Sequence, residues 1–319
     1  MVNQKLLGIA VVATGAMLLS ACDDSDGGGR LVIGAPDPVD YEDRPAQVSS
    51  ETLADLEQMY ADMDEISDLI FAVTDALDDG ITGPGNYDCE AGGSVSTDYD
   101  PANDDNEVQS ETWVFDNCVV AADGYGQVRI SGSVDADLRD QDTVSGDVWI
   151  YSVNYDEITG EVLATGEALA LDGKIQIDEL DAEGAVLEFS HLTETIDSLE
   201  MQYGDRYVGI SGFESHQEGT VASSEYTIKG KLAASALDGY ITLSTPVSVI
   251  AEDGYSCPTK GQINMAGEDT AELRFGETAL GTGPSAALWI GSQVADSYDE
   301  SECEELADLL GIETYEAPK

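Results

Sequence analysis

From Gly93 to about Val294 the chain repeats one texture: a glycine, then apolar residues alternating with polar ones, as in "GQVRISGSV", "GDVWIYSVNY", "GKIQIDEL" and "GYITLSTPVSV". A period of two is the geometry of an extended strand, whose successive side chains point to opposite faces. Turn residues recur about every 8 to 15 positions, which predicts a long antiparallel meander of short strands with one wet face and one buried face. No helical period separates the strands, so βαβ folds are not expected, and the irregular spacing argues against a solenoid. Upstream, Leu53, Leu56, Tyr60, Met63, Ile66, Ile70, Val73 and Leu77 recur every three or four residues and predict a long amphipathic helix. Ser50 can cap its first N–H groups, Glu51 suits its positive end, and Gly80 can close it. A second, short helix is expected over "SECEELADLL", Ser301 to Leu310, where Ser301 and Glu304 have capping-box spacing. The fold class is therefore mainly β or α+β: a large curved antiparallel meander, open or closing toward a partial barrel, packed on one long N-terminal helix. A sheet of ten or more strands must close, curl or be covered at its edges.

Composition narrows the partners. Lys and Arg number 12 against 65 Asp and Glu, for a formal net charge of −53. Nucleic acid is excluded as a partner, because phosphate contacts need clustered basic side chains. Adsorption to anionic lipid heads is disfavoured on the same ground. A hydrophobic content of 42% is too high for a disordered acidic chain, so the body has a real core. The acidity reads first as a solvated surface; binding of divalent cations or of a cationic partner is the sharper alternative.

The N-terminus carries an address. Lys5 is followed by Leu6 to Leu19, fourteen nearly uniformly apolar residues. At about 1.5 Å per residue they cover roughly 21 Å, short of a ~30 Å hydrocarbon core, so they read as a secretory signal and not as a spanning helix. Leu19-Ser20-Ala21-Cys22 resembles the lipobox of bacterial lipoprotein precursors. The resemblance implies cleavage before Cys22, a diacylglyceryl thioether on its sulfur and acylation of the new amine, palmitate being among the expected chains. Two or three chains anchor stably where one does not. Residues 1–21 are then a lipoprotein signal peptide and 22–48 a flexible acidic, Gly- and Pro-rich tether. The long helix occupies 49–80, and 81–319 form the antiparallel β domain with its short C-terminal helix. Asp23 after the cysteine is similar to an inner-membrane retention signal of enteric bacteria, but other lineages sort differently. The body is expected to face the periplasm or the cell surface, with inner and outer membrane both open.

Four further cysteines, Cys89, Cys118, Cys257 and Cys303, make an even set, which in an exported chain reads as two disulfides. Of three connectivities, Cys89–Cys118 with Cys257–Cys303 is preferred because both close local loops; Cys303 would staple the last helix to the loop at Cys257. A zinc centre on these cysteines is not expected, since no CxxC pair exists and His191 and His216 are the only histidines. "CEAGGSV…WVFDNCVV…GQVRISGSV", Cys89 to Val134, with "CPTKGQINMAG", Cys257 to Gly267, resembles a pattern in uncharacterised disulfide-containing, β-rich bacterial lipoproteins. That resemblance implies stapled hairpins and an envelope location, and no activity.

Catalytic motifs are not found: no GxSxG elbow, HExxH, SxxK or P-loop. A triad through His191 or His216 would need a nucleophile and a carboxylate beside it in a cleft. Paired carboxylates are too abundant to mark a glycosidase, and Trp113, Trp149 and Trp289 are too scattered to suggest a sugar platform. No cofactor is expected; calcium is the one candidate. "DYDPANDDNEVQSE" gathers Asp98, Asp100, Asp104 and Asp105 in one turn, and hard cations take six to eight oxygens. It misses EF-hand register, with Asn103 where glycine belongs and Gln109 where the bidentate Glu belongs, so a solvated acidic hairpin competes. The expectation is a lipid-anchored envelope protein that binds or scaffolds without catalysis. Its contacts are the membrane through Cys22 and a protein partner or apolar ligand. One alternative is a carrier holding an apolar ligand in the concave sheet face, lined by Val128, Ile130, Val148, Ile150, Leu187 and Phe189. If instead the Leu53–Leu77 stripe fills that face, the protein works through its surface. A secreted-type hydrolase is the remaining alternative.

Overall fold

The computed structural model describes residues 39–78, 81, 83–100, 108–143, 146–181, 189–220, 222–276 and 285–312. Fourteen strands form one antiparallel sheet whose spatial order is its sequence order. The first four are β1 (Gly85–Asp88), β2 (Ser94–Asp100), β3 (Val108–Ala122) and β4 (Gly126–Thr143). Then come β5 (Gly146–Val162), β6 (Glu167–Asp181), β7 (Phe189–Tyr203), β8 (Arg206–Thr220), β9 (Ser223–Ala234) and β10 (Gly239–Glu252). Four shorter strands end the sheet: β11 (Lys260–Ala266), β12 (Thr270–Phe275), β13 (Ala286–Ile290) and β14 (Gln293–Tyr298). The helices are α1 (Val39–Asp43), α2 (Thr52–Asp78) and α3 (Glu300–Leu309). Among the described residues no helix is long and apolar enough to cross a membrane.

The mainly β meander on one long helix is what the sequence pattern predicts, but the strands are longer than predicted. β3 to β8 have 15 to 18 residues each, because several glycines that read as turns lie inside strands. These glycines belong to a crease. β3, β5, β7 and β8 each carry an extra residue near Asn117, Glu157, Asp197 and Gly212, and the register shifts there. Facing them, Gly132 on β4 and Gly173 on β6 let backbone approach where a side chain would block it. A Cβ on Gly132 would lie 2.5 Å from the Glu157 carbonyl oxygen, and one on Gly173 2.2 Å from that of Ser198. Bulges bend a strand and increase its twist, so a row of them running from strand to strand folds the sheet around α2.

The concave face is filled by α2. Leu56, Met59, Ile66 and Leu69 are fully buried, and Leu53, Met63, Ile70, Val73 and Leu77 join them in the core. Against them point Val128, Ile130, Tyr151, Val153, Ile196, Leu199, Ile210 and Leu232. Val128 and Ile130 are inward as predicted, but they are packed in the core instead of lining a void. Ile150 points outward, because the inward phase of β5 is carried by Tyr151, Val153 and Tyr155. The side chains of Val148 and Phe189, and all of Leu187, lie outside the described residues. The start of α2 is held by Ser49 and Thr52, not Ser50: the Ser49 N–H donates to Thr52 Oγ1 (2.8 Å) and the Glu51 N–H to Ser49 Oγ (3.1 Å).

The tether was expected to reach residue 48, yet 39–48 are docked on the sheet. Tyr41 of α1 stacks on Tyr207 with ring centroids 5.8 Å apart, in a small cluster on the outer face. The chain then rounds the sheet end: the Ala46 N–H donates to Tyr240 O and the Glu268 N–H to Ala46 O, both at 2.8 Å, and Val48 is already in the main core. The disulfides are Cys89–Cys118 and Cys257–Cys303, the pairing that closes the local loops, and the second ties α3 to the β10–β11 loop. α3 begins one residue before Ser301, because the capping box is formed by Asp299 and Glu302: the Asp299 carboxylate accepts from the Ser301 and Glu302 N–H groups.

Candidate functional site on the two faces of β7 and β8

On the inner face, Glu194 of β7 is 8% exposed and opens onto a cavity of about 50 Å³ between the sheet, α2 and α3. Its polar neighbours are Tyr60 from α2, Ser215 from β8 and Tyr226 from β9; Ile196, Phe213 and Leu232 supply apolar wall. Among the described residues no hydrogen bond reaches the Glu194 carboxylate, and burial pushes its pKa up to about 7. The same burial raises the Tyr60 and Tyr226 phenols, so both stay neutral, and Tyr226 donates to Leu310 O at 2.7 Å. One water needs ~10–15 Å³ of such space, so the cavity has room for about three or four waters and not for an acyl chain. α2 is fixed above it by Arg206, which donates to Glu65 Oε1 at 2.9 Å while lying over the Tyr203 ring.

The outer face of the same strands brings together both histidines. Across the β7–β8 ladder, His191 pairs with Glu218 and Thr193 with His216. The four side chains occupy the corners of one square. Thr193 Oγ1 lies 3.0 Å from His191 Nε2 and 2.9 Å from His216 Nδ1, within hydrogen-bond reach of both rings, and its role toward each is set by that imidazole's tautomer. His216 Nε2 is 3.5 Å from Glu218 Oε2, and the two imidazoles meet edge to face with centroids 4.6 Å apart. A hydroxyl, an imidazole and a carboxylate are thus in line, as a hydrolytic triad requires. They stand, however, on the outer face and line neither the cavity at Glu194 nor the smaller one beside Met63 and Ile70, both walled by inward residues, while β7 and β8 are both paired with neighbours on either side.

Of the other residues singled out in the sequence, Cys22 lies outside the described residues, as do Asp104 and Asp105. Asp98 and Asp100 are exposed on β2, and Asp98 accepts from the Tyr99 N–H. Trp113 is buried, with its indole N–H donating to Glu111 at 2.8 Å. Glu194, Thr193 and Glu218 were not anticipated, although a signal for the outer square was present. "YGDRY" holds a two-residue turn, Gly204-Asp205, with Gly204 at φ +62. His191 lies thirteen residues before Gly204 and Glu218 thirteen after Asp205, so counting outward from the turn aligns them. No protein-family model, curated protein or solved structure matches the chain.

Proposed function

We propose that this chain is a lipid-anchored protein of the bacterial cell envelope whose folded body acts by binding or scaffolding, without catalysis. Anchoring rests on the lipobox resemblance at Leu19 to Cys22, and the two disulfides suit an oxidising compartment. The observation that carries the binding role is the filling of the concave face by α2, which among the described residues leaves only small cavities beneath it, of about 50 Å³ at Glu194 and about 10 Å³ beside Met63 and Ile70, and most of the polar surface outside. A packed interior of this kind is a rigid support, and contacts to other molecules fall to the outer face and the sheet ends.

The test uses the full chain produced in a bacterial host and purified in detergent. Labelled palmitate enters the chain and the protein partitions with membranes; Cys22→Ser loses both. An unlabelled, freely soluble wild type overturns the anchor. Native mass spectrometry from micelles then reads the body: the acylated mass less four hydrogens supports a surface role. A further discrete mass that leaves on denaturation supports the second reading, a carrier whose ligand sits at Glu194 beneath α2. That reading draws on one feature, the buried Glu194 carboxyl, which no hydrogen bond reaches among the described residues and which shares its cavity with Tyr60, Ser215 and Tyr226.

A further inference from the structure

We propose that His191, His216 and Glu218 form a binding site for a first-row transition-metal dication of the zinc class on the outer face of β7 and β8. The ligand atoms of these three residues all lie within 4.8 Å of one another. A tetrahedral zinc with N and O ligands at about 2.0–2.1 Å sets its ligands roughly 3.4 Å apart. His216 Nε2 and Glu218 Oε2 already stand at 3.5 Å, and the 31% and 51% exposure of these side chains leaves them free to close on an ion. Two imidazoles and one carboxylate, with a fourth position open to water, are a donor set for zinc, cobalt, nickel or copper. Calcium and magnesium, which take oxygen shells, are not suited to it.

The surroundings support the same reading. Thr193 Oγ1 holds His216 at Nδ1, the nitrogen turned away from Glu218, which fixes the ring with Nε2 toward the metal position. A hydrogen bond to the far nitrogen is the usual companion of a metal-bound imidazole. Asp178 on β6, opposite Thr193, and Glu225 on β9, opposite Glu218, stand on the same face, so the two histidines sit among carboxylates. The nearest lysine on that face, Lys229, is engaged by Glu214 at 2.8 Å. The ladders on both sides of β7 and β8 hold the four corners in register, so little backbone ordering is needed on binding. Both histidines of the chain are at this square, and none of the cysteines is involved.

The experiment titrates Zn²⁺ into the metal-stripped full chain in detergent against a chromophoric chelator, with Ca²⁺ and Mg²⁺ in large excess to occupy the oxygen-only sites of so acidic a protein. One Zn²⁺ per chain is expected. His191→Ala and His216→Ala should each weaken it at least tenfold, and Thr193→Val about tenfold through the lost hold on His216. Cu²⁺ electron paramagnetic resonance of the unmodified chain should show coupling to two imidazole nitrogens, a readout independent of any variant's folding. Zn²⁺ uptake that Ca²⁺ abolishes, affinity unchanged in the double His→Ala variant, or a Cu²⁺ spectrum without nitrogen coupling would overturn the site.

Discussion

Strand β7 places Thr193 and Glu194 next to each other in sequence and in opposite worlds. Thr193 faces outward between two imidazoles in a field of carboxylates, whereas Glu194 faces inward onto a small buried cavity. The difference is one step of the period-two alternation, and it shows how a chain with 65 acidic residues keeps a dry interior: nearly every strand turns its acids out. The exceptions are informative. Glu111 and Glu194 are both buried on the inner face, at 3% and 8% exposure. Glu111 accepts from the Trp113 indole two residues along its own strand, while Glu194 has room for water instead of a donor. An inward carboxylate is tolerated with a fixed donor or with space.

The contrast between the faces can be broken most forcefully at α2. Ile66→Ala, at a fully buried position, should cost about 2–5 kcal/mol in urea unfolding; a cost below 1 kcal/mol would mean that the helix is not the core of the sheet. Next comes Glu194→Gln. The folded-state pKa, pushed up to about 7, lies above the ordinary carboxyl value of 4.5, so the fold favours the protonated acid. That contribution is complete below about pH 4.5, falls as pH rises toward 7 and is absent above it. The variant should therefore match wild type in acid and exceed it above pH 7 by on the order of 3 kcal/mol. The same curve for both proteins across pH 4 to 8 would remove the distinction between Glu194 and an exposed acid. Trp113→Phe deletes the indole donor to Glu111 and should cost about 1–3 kcal/mol. The smallest effect is expected outside: Lys229→Ala removes an exposed ion pair with Glu214 and should change stability by less than about 0.5 kcal/mol in either direction.

Much of the inner architecture was legible because burial writes itself into spacing. Leu53 to Leu77 gave the helix, glycine-led alternation gave the meander, and four cysteines with short loops gave the pairing found. The strand lengths were not legible, since a glycine at a bulge and a glycine at a turn look alike in sequence: Gly132 and Gly173 are inside strands, Gly204 is in a turn. The phase of β5 was hidden by the continuous apolar run Val148 to Tyr151, where either parity satisfies the pattern. Residues 39–48 were hidden by composition, because a proline and several acids signal a linker whether or not Tyr41 finds Tyr207 to stack on. The outer square was hidden because the two histidines are 25 positions apart and only the turn at Gly204-Asp205 relates them.

Because every strand pairs with its sequence neighbours, no strand waits for a partner made much later. A chain delivered from its N-terminus can add each hairpin to the growing edge, and loop-closure entropy stays small at every step. The helix that this sheet must enclose is delivered before any strand. α2 therefore passes through a stage with its apolar stripe uncovered, and β7 and β8, which close over it, follow more than a hundred residues later. The early disulfide, Cys89–Cys118, forms within the first three strands, whereas Cys257–Cys303 can form only when α3 has arrived. The second bridge is thus a latch set last, on a sheet that has already wrapped its helix.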